Sequence, residues 1–155
     1  MKIFFAHTMT LLYNPRIASI FSLHYTIFTI TQTKMFIQDI KITRIFSDKN
    51  GDSHFQDVFQ PMLYPIGNKQ RITKTIENNG VKLFEFAHDF SCNWHLSMQR
   101  CYYIYLMGSQ EIEVSDGEKR IFQTGDILLA EDTFGRGHRS KSITNTTGRA
   151  IIILL

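Results

Sequence analysis

The chain has 155 residues and an apolar fraction of 43%, which fits one domain with a core of its own. The net charge of +3 lies in the first 34 residues, where Lys2, Arg16 and Lys34 occur without an acid; setting these three aside leaves 14 cationic residues against 14 acidic ones. Residues 35–155 are therefore formally neutral with interspersed signs, and the missing basic stripe argues against a nucleic-acid partner.

Residues 1–34 read as a short atypical segment. They are rich in Ile, Phe and Thr and contain no Gly. The uncharged run Ile17–Thr33 has 17 residues, at the lower edge of membrane-spanning length, and eight of them are Ser, Thr, His or Gln. His7 interrupts the early apolar run, and no small-residue cleavage site follows. The segment is expected to be a leader outside the domain, with Met35 as a candidate true start. A membrane partner is not expected.

From Met35 the chain turns regular. Phe36–Ile42 predicts a first strand, and Ser47–Ser53 is a loop by composition. Phe55–Phe59 predicts a short strand. Pro61 and Pro65 punctuate an extended stretch, because proline biases its predecessor away from helix. Asn78-Asn79-Gly80 marks a turn before a strand over Val81–Phe90. Further strands are expected at Cys101–Met107, Glu111–Val114, Glu118–Phe122, Ile127–Ala130, Lys141–Thr144 and Ala150–Leu155, with turns at Asp116-Gly117 and Thr124-Gly125-Asp126. Strands at this spacing with turn signals between them predict an all-β sandwich or closed barrel over residues 35–155. Two cysteines, Cys92 and Cys101, form neither a disulfide framework nor a zinc ribbon. Reduced thiols in a cytoplasmic protein are the expectation.

Two blocks carry most of the chemistry: Trp94-His95 through Gly108, and Gly125-Asp126 through His138. Read together, they resemble the cupin superfamily of jelly-roll barrels. His95 falls at the first His of the usual first motif, Ser97 at its second His, Cys101 at its Glu and Gly108 at its closing Gly. Gly125-Asp126 opens the usual second motif and Gly135-Arg136-Gly137-His138 ends it, with His138 two residues late and Glu131 where Pro is usual. Trp94-His95, Tyr103, the Asp116-Gly117 turn and the run from Gly125 to Asp132 are similar to a group of small single-domain cupins. The resemblance implies a cupin-type jelly-roll β-barrel and a pocket inside it. Fold does not decide function, since cupins include dioxygenases, isomerases, epimerases and storage proteins.

A typical metal cupin holds a divalent transition metal with three His and one Glu, and half of that set is absent here. Strand alternation puts residues 95, 97, 99 and 101 on one face, so His95, His138 and Cys101 are the conceivable ligands. Without metal, His95 or His138 could act as a base, since histidine titrates near neutrality, and Tyr103 shares the parity of His95. Glu131, Asp132 and Arg136 flank His138 and are expected at the pocket rim. The first reading is a small-molecule-binding cupin with a two-histidine pocket. A metal-dependent oxygenase or a sugar isomerase or epimerase is the second. The third is a non-catalytic structural or regulatory module, dimeric through edge strands. Residues 35–155 expressed alone should give a soluble folded protein; insolubility of that fragment beside a soluble full chain would sink the idea that the domain starts near Met35.

Overall fold

The computed structural model describes residues 39–62, 64–65 and 71–155. The leader at 1–34 and the start of the expected strand at Phe36 lie outside them. Among the described residues the regular segments are β1 Ile40–Ser47, β2 Ser53–Gln60, β3 Tyr64–Pro65, β4 Arg71–Ile72, β5 Gly80–Phe86 and β6 Ser91–His95. They continue with β7 Cys101–Met107, β8 Ser109–Val114, β9 Lys119–Gln123, β10 Ile127–Ala130, β11 His138–Ser142 and β12 Gly148–Leu154. None of the described residues forms a helix long and apolar enough to cross a membrane.

The last eight strands pair as one long hairpin would. β8 pairs with β9, β7 with β10, β6 with β11 and β5 with β12, all antiparallel. Alternate pairs fall in opposite sheets: β5·β12 and β7·β10 in one of order β2-β1-β10-β7-β12-β5, β6·β11 and β8·β9 in one of order β6-β11-β8-β9. A hairpin rolled in this way is a jelly roll, as expected from the sequence. β1 extends the larger sheet parallel to β10, and β2 pairs antiparallel with β1.

Side-chain alternation fills the space between the sheets. Tyr105, Ile45, Val114, Leu128, Phe122 and Ile112 are buried there. Each such side chain contributes about 1.5–3 kcal/mol by leaving water. Tyr105 stacks on Phe122 with ring centroids 5.7 Å apart, and Phe84 meets Tyr103 edge-on at 6.1 Å. Tyr105 spends its hydroxyl on a 2.9 Å hydrogen bond to Gln110 Oε1, so the one polar atom of this ring is satisfied inside the core. Cross-strand register orders the interior in rows. Phe84, Ala150 and Tyr105 form one; Lys82, Ile152, Tyr103 and Leu128 the next; Gly80, Leu154, Cys101 and Ala130 the last.

Two loops are tied together at the histidine end. Gly135 has φ of +86°, and a Cβ there would collide with the backbone of Gly51. Glycine is thus required for the β1–β2 turn and the β10–β11 loop to meet. Arg136 N–H donates to Gly51 O at 2.9 Å, closing the contact.

At the same turn His54 holds two carboxylates from different turns. Its Nδ1 is 2.6 Å from Asp116 Oδ2, and its Nε2 is 3.6 Å from Asp48 Oδ2. The hydrogen bond to Asp116 raises the His54 pKa; partial desolvation opposes it, and the charges of Asp116 and Asp48 add to it. A histidine whose folded pKa is raised stabilises while protonated. The contribution is full below the unfolded value of about 6.5 and is lost as pH rises through the raised folded value. The melting-temperature deficit of His54→Asn should therefore be largest near pH 6 and shrink toward pH 9, corresponding to at most about 1 kcal/mol for so exposed a group. A deficit that grows with pH would contradict this assignment.

Candidate functional site

The two histidines that the sequence singles out stand opposite each other. β6 and β11 are direct neighbours, and His138 is the register partner of His95. The histidines of the two blocks thus meet in one strand pair, because the rolled hairpin joins segments some forty residues apart. The rings lie 4.3 Å apart between centroids, at 58°. The register then slips: Ser140 pairs with Cys92, so three steps along β6 match two along β11. This bulge leaves Cys92 beside His95. Cys92 Sγ is 3.4 Å from His95 Nδ1, and the same nitrogen is 2.7 Å from Asn93 O, to which an Nδ1–H donates.

His138 is positioned more tightly. It is 8% exposed, and its Nδ1 is 2.6 Å from Oδ2 of Asp132, which is wholly buried. The other carboxylate oxygen accepts from Ser97 Oγ at 2.8 Å, and Ser97 N–H donates to Asp132 O at 3.2 Å. A buried carboxylate is costly unless paired and hydrogen-bonded, and here both oxygens have donors. Assigned from this network, His138 carries its proton on Nδ1, which leaves Nε2 as the basic nitrogen. Gly137 makes the approach possible: its φ is +72°, and a Cβ would collide with His95 O.

Behind the rings lies a cavity of about 60 Å³, lined by His95, His138, Tyr103, Tyr105, Gln110 and Ser140 among others. That volume is about two waters' share of liquid. Burial pushes the Tyr103 phenol up to about 12, with the neighbouring Cys101 and Asp132 adding to the shift. Burial also raises Tyr105. Both phenols are hydrogen-bond donors at neutral pH.

Two expectations are corrected. Asp132 does not sit on the rim: its carboxyl is turned into the protein and grips His138. Glu131 is held between Arg44 and Arg100, and Arg136 is an exposed partner of Asp52 at 2.7 Å. Cys101 points inward but lines a different pocket from the histidines, and the sulfur that meets His95 is Cys92. The parity argument from His95 to Cys101 fails because residues 96–100 leave the strand. Tyr103 lines the inner cavity.

The metal centre implied by the family resemblance does not fit these residues. Among the described residues no three His, Cys, Asp or Glu side chains converge as a metal cradle. Ser97 stands at one ligand position and donates to Asp132, while Asp132 is committed to His138. Burial pushes the Cys101 thiol up to about 11, helped by the charge of Asp132, so it stays protonated at neutral pH. Two imidazoles are what remains.

The barrel is a jelly roll. No family model matches the chain, and no curated protein does. Among solved structures it is similar to a cupin 2 conserved barrel domain protein from Leptotrichia buccalis, at 14% identity over 77% of this chain and 79% of that one, with a TM-score of 0.39. A protein from Neisseria meningitidis is similar at 15% identity over 52% and 78%, with a TM-score of 0.38. A conserved protein of unknown function from Streptococcus pyogenes is similar at 14% over 54% and 68%, with a TM-score of 0.37. At that remove they bear on no residue's role.

Removing either half of a buried pair strands the other. His138→Ala, which strands the buried carboxylate, should cost about 3–5 kcal/mol in denaturant unfolding, and Asp132→Ala, which strands an imidazole N–H, about 1–3 kcal/mol. The double mutant should show a coupling of about 1–3 kcal/mol. Additive losses would mean that the two groups do not act as a pair.

Proposed function

We propose that this chain is a small-molecule-binding barrel whose chemistry is proton transfer. His138 Nε2 is the base, Asp132 fixes its tautomer and orientation, and Tyr103 supplies a phenolic hydrogen bond. The observation that carries this reading is the wholly buried Asp132 against His138 Nδ1, with the histidine lining an interior cavity. A carboxylate that holds one imidazole nitrogen leaves the other free to take and return a proton. His95 shares the cavity and can receive a proton or orient the ligand. The cavity admits only the reacting end of a ligand, so the rest of the molecule must lie elsewhere.

A second reading is a non-catalytic barrel, and two observations favour it. The interior is almost filled by its own side chains, since about 60 Å³ is far below the ~300 Å³ at which small-molecule sites begin. The edge strand β5 also exposes Val81 and Leu83, at 61% and 86%, a surface suited to pairing with a second copy.

NMR of the full chain separates the two. Titration with two- to four-carbon aldehydes, ketones and hydroxy acids should shift the His95 and His138 imidazole signals together. His138→Gln, which keeps a donor toward Asp132 and removes the base, should weaken those shifts at His95 at least several-fold. Fragments that leave both rings unmoved, with a folded dimer in sedimentation, would favour the non-catalytic barrel.

A further inference from the structure

A second, larger pocket of about 270 Å³ opens at the end of the barrel where β5 and β7 begin and β12 ends. Its walls are apolar on the β12 side, from Ile152 and Leu154, with Met98 of the β6–β7 loop at the margin. Cys101 and Tyr103 line it from β7, and Lys82 from β5. Register explains the company: Ile152 is the partner of both Lys82 and Tyr103, so the three side chains form one row across the inner face of the sheet. Tyr103 lines this pocket and the histidine cavity alike, and so stands as the partition between them.

Lys82 is the cationic member. It is an exposed residue of the edge strand β5 that also lines this pocket. Several cations of the barrel are paired: Arg44 and Arg100 with Glu131, Arg139 with Glu113, Arg149 with Glu85 and Lys141 with Glu111. No ion pair among the described residues includes Lys82. The two acids beside it do not answer the charge either, because burial pushes Cys101 up to about 11 and Tyr103 up to about 12. The pocket therefore joins apolar walls to one ammonium that has no ion-pair partner among the described residues.

We infer that this pocket is a vestibule that binds a small carboxylate with an apolar body, its carboxylate on Lys82 and its chain against Ile152 and Leu154, with Tyr103 dividing it from the histidine cavity. The inference names a ligand class for the small-molecule reading above and rests on it. A pocket of this size suits a fragment, just under the ~300 Å³ lower end of small-molecule sites. The competing role for Lys82 is to guard the edge of β5 against pairing with another chain, a common use of lysine on edge strands.

The test uses the full chain and three probes of one length: hexanoate, hexanamide and hexylamine. Hexanoate should shift the Ile152 and Leu154 methyl signals and the Tyr103 ring. It should bind at least about tenfold tighter than hexanamide, with hexylamine weakest, because only the carboxylate meets the ammonium. Lys82→Met should abolish the preference for hexanoate over hexanamide, and Lys82→Arg should keep it. Equal binding of the acid and the amide would overturn the inference. So would a Lys82→Met protein that self-associates yet binds hexanoate unchanged, because that result assigns Lys82 to edge protection. In Tyr103→Ala the partition is gone, and hexanoate should then also move the His95 and His138 signals. Shifts that stay at Ile152 and Leu154 in that variant count against the proton-transfer site and leave the vestibule standing.

Discussion

The carboxylate of Asp132 is the group on which the candidate site depends. It is fully buried, and a buried charge is tolerated only where donors surround it. Its two oxygens draw in Ser97 from the β6–β7 loop and His138 from the start of β11. One side chain thereby ties together the two loops at the mouth of the barrel and sets the orientation of the imidazole. The arrangement needs Gly137 in a left-handed conformation, since any side chain there would strike the backbone of His95. The ion pairs around it serve the same end. Glu131, next in sequence, is clamped by Arg44 and Arg100, which holds the chain as it leaves β10.

The barrel around this group is packed with rings rather than hollow. Phe84, Phe90, Tyr103, Tyr105 and Phe122 interlock, and what they leave is room for about two waters beside the histidines. A ring of this kind contributes both area and directional contact. Such packing explains why chemistry at His138 would act on the end of a molecule and not enclose it. It also makes Tyr103 the hinge of the functional question, as the one side chain among the described residues shared by the inner cavity and the pocket around Lys82.

Much of the fold was legible in the sequence. Alternation at Glu111–Val114, the apolar runs at Cys101–Met107 and Ile127–Ala130, and the Asp116-Gly117 turn correspond to β8, β7, β10 and the β8–β9 turn. The misplaced ends have local causes. β11 begins at His138 and not Lys141, because pairing with β6 and β8 extends a polar segment that has no apolar pattern of its own. β1 runs on to Ser47, whose pairing with Ser53 is set by the tight turn between them. The histidines were legible as types, but their pairing was not, because β6 and β11 meet only when the long hairpin rolls. Asp132 was the largest miss. Beside Glu131 and a glycine-rich loop it reads as solvated charge, and nothing local reveals that the loop folds inward. The one hint was Ser97 in a position where the family resemblance expects a ligand, a small hydroxyl that fits a carboxylate partner better than a metal.

The most direct test of the account is the long-range ¹H–¹⁵N spectrum of the His138 imidazole, recorded at a pH where the ring is neutral. The account predicts the Nδ1–H tautomer with a strongly deshielded, slowly exchanging proton, and loss of that signature in Asp132→Asn. An Nε2–H tautomer, or a ring signal indifferent to Asp132→Asn, would contradict the claim that Asp132 fixes His138 as a base.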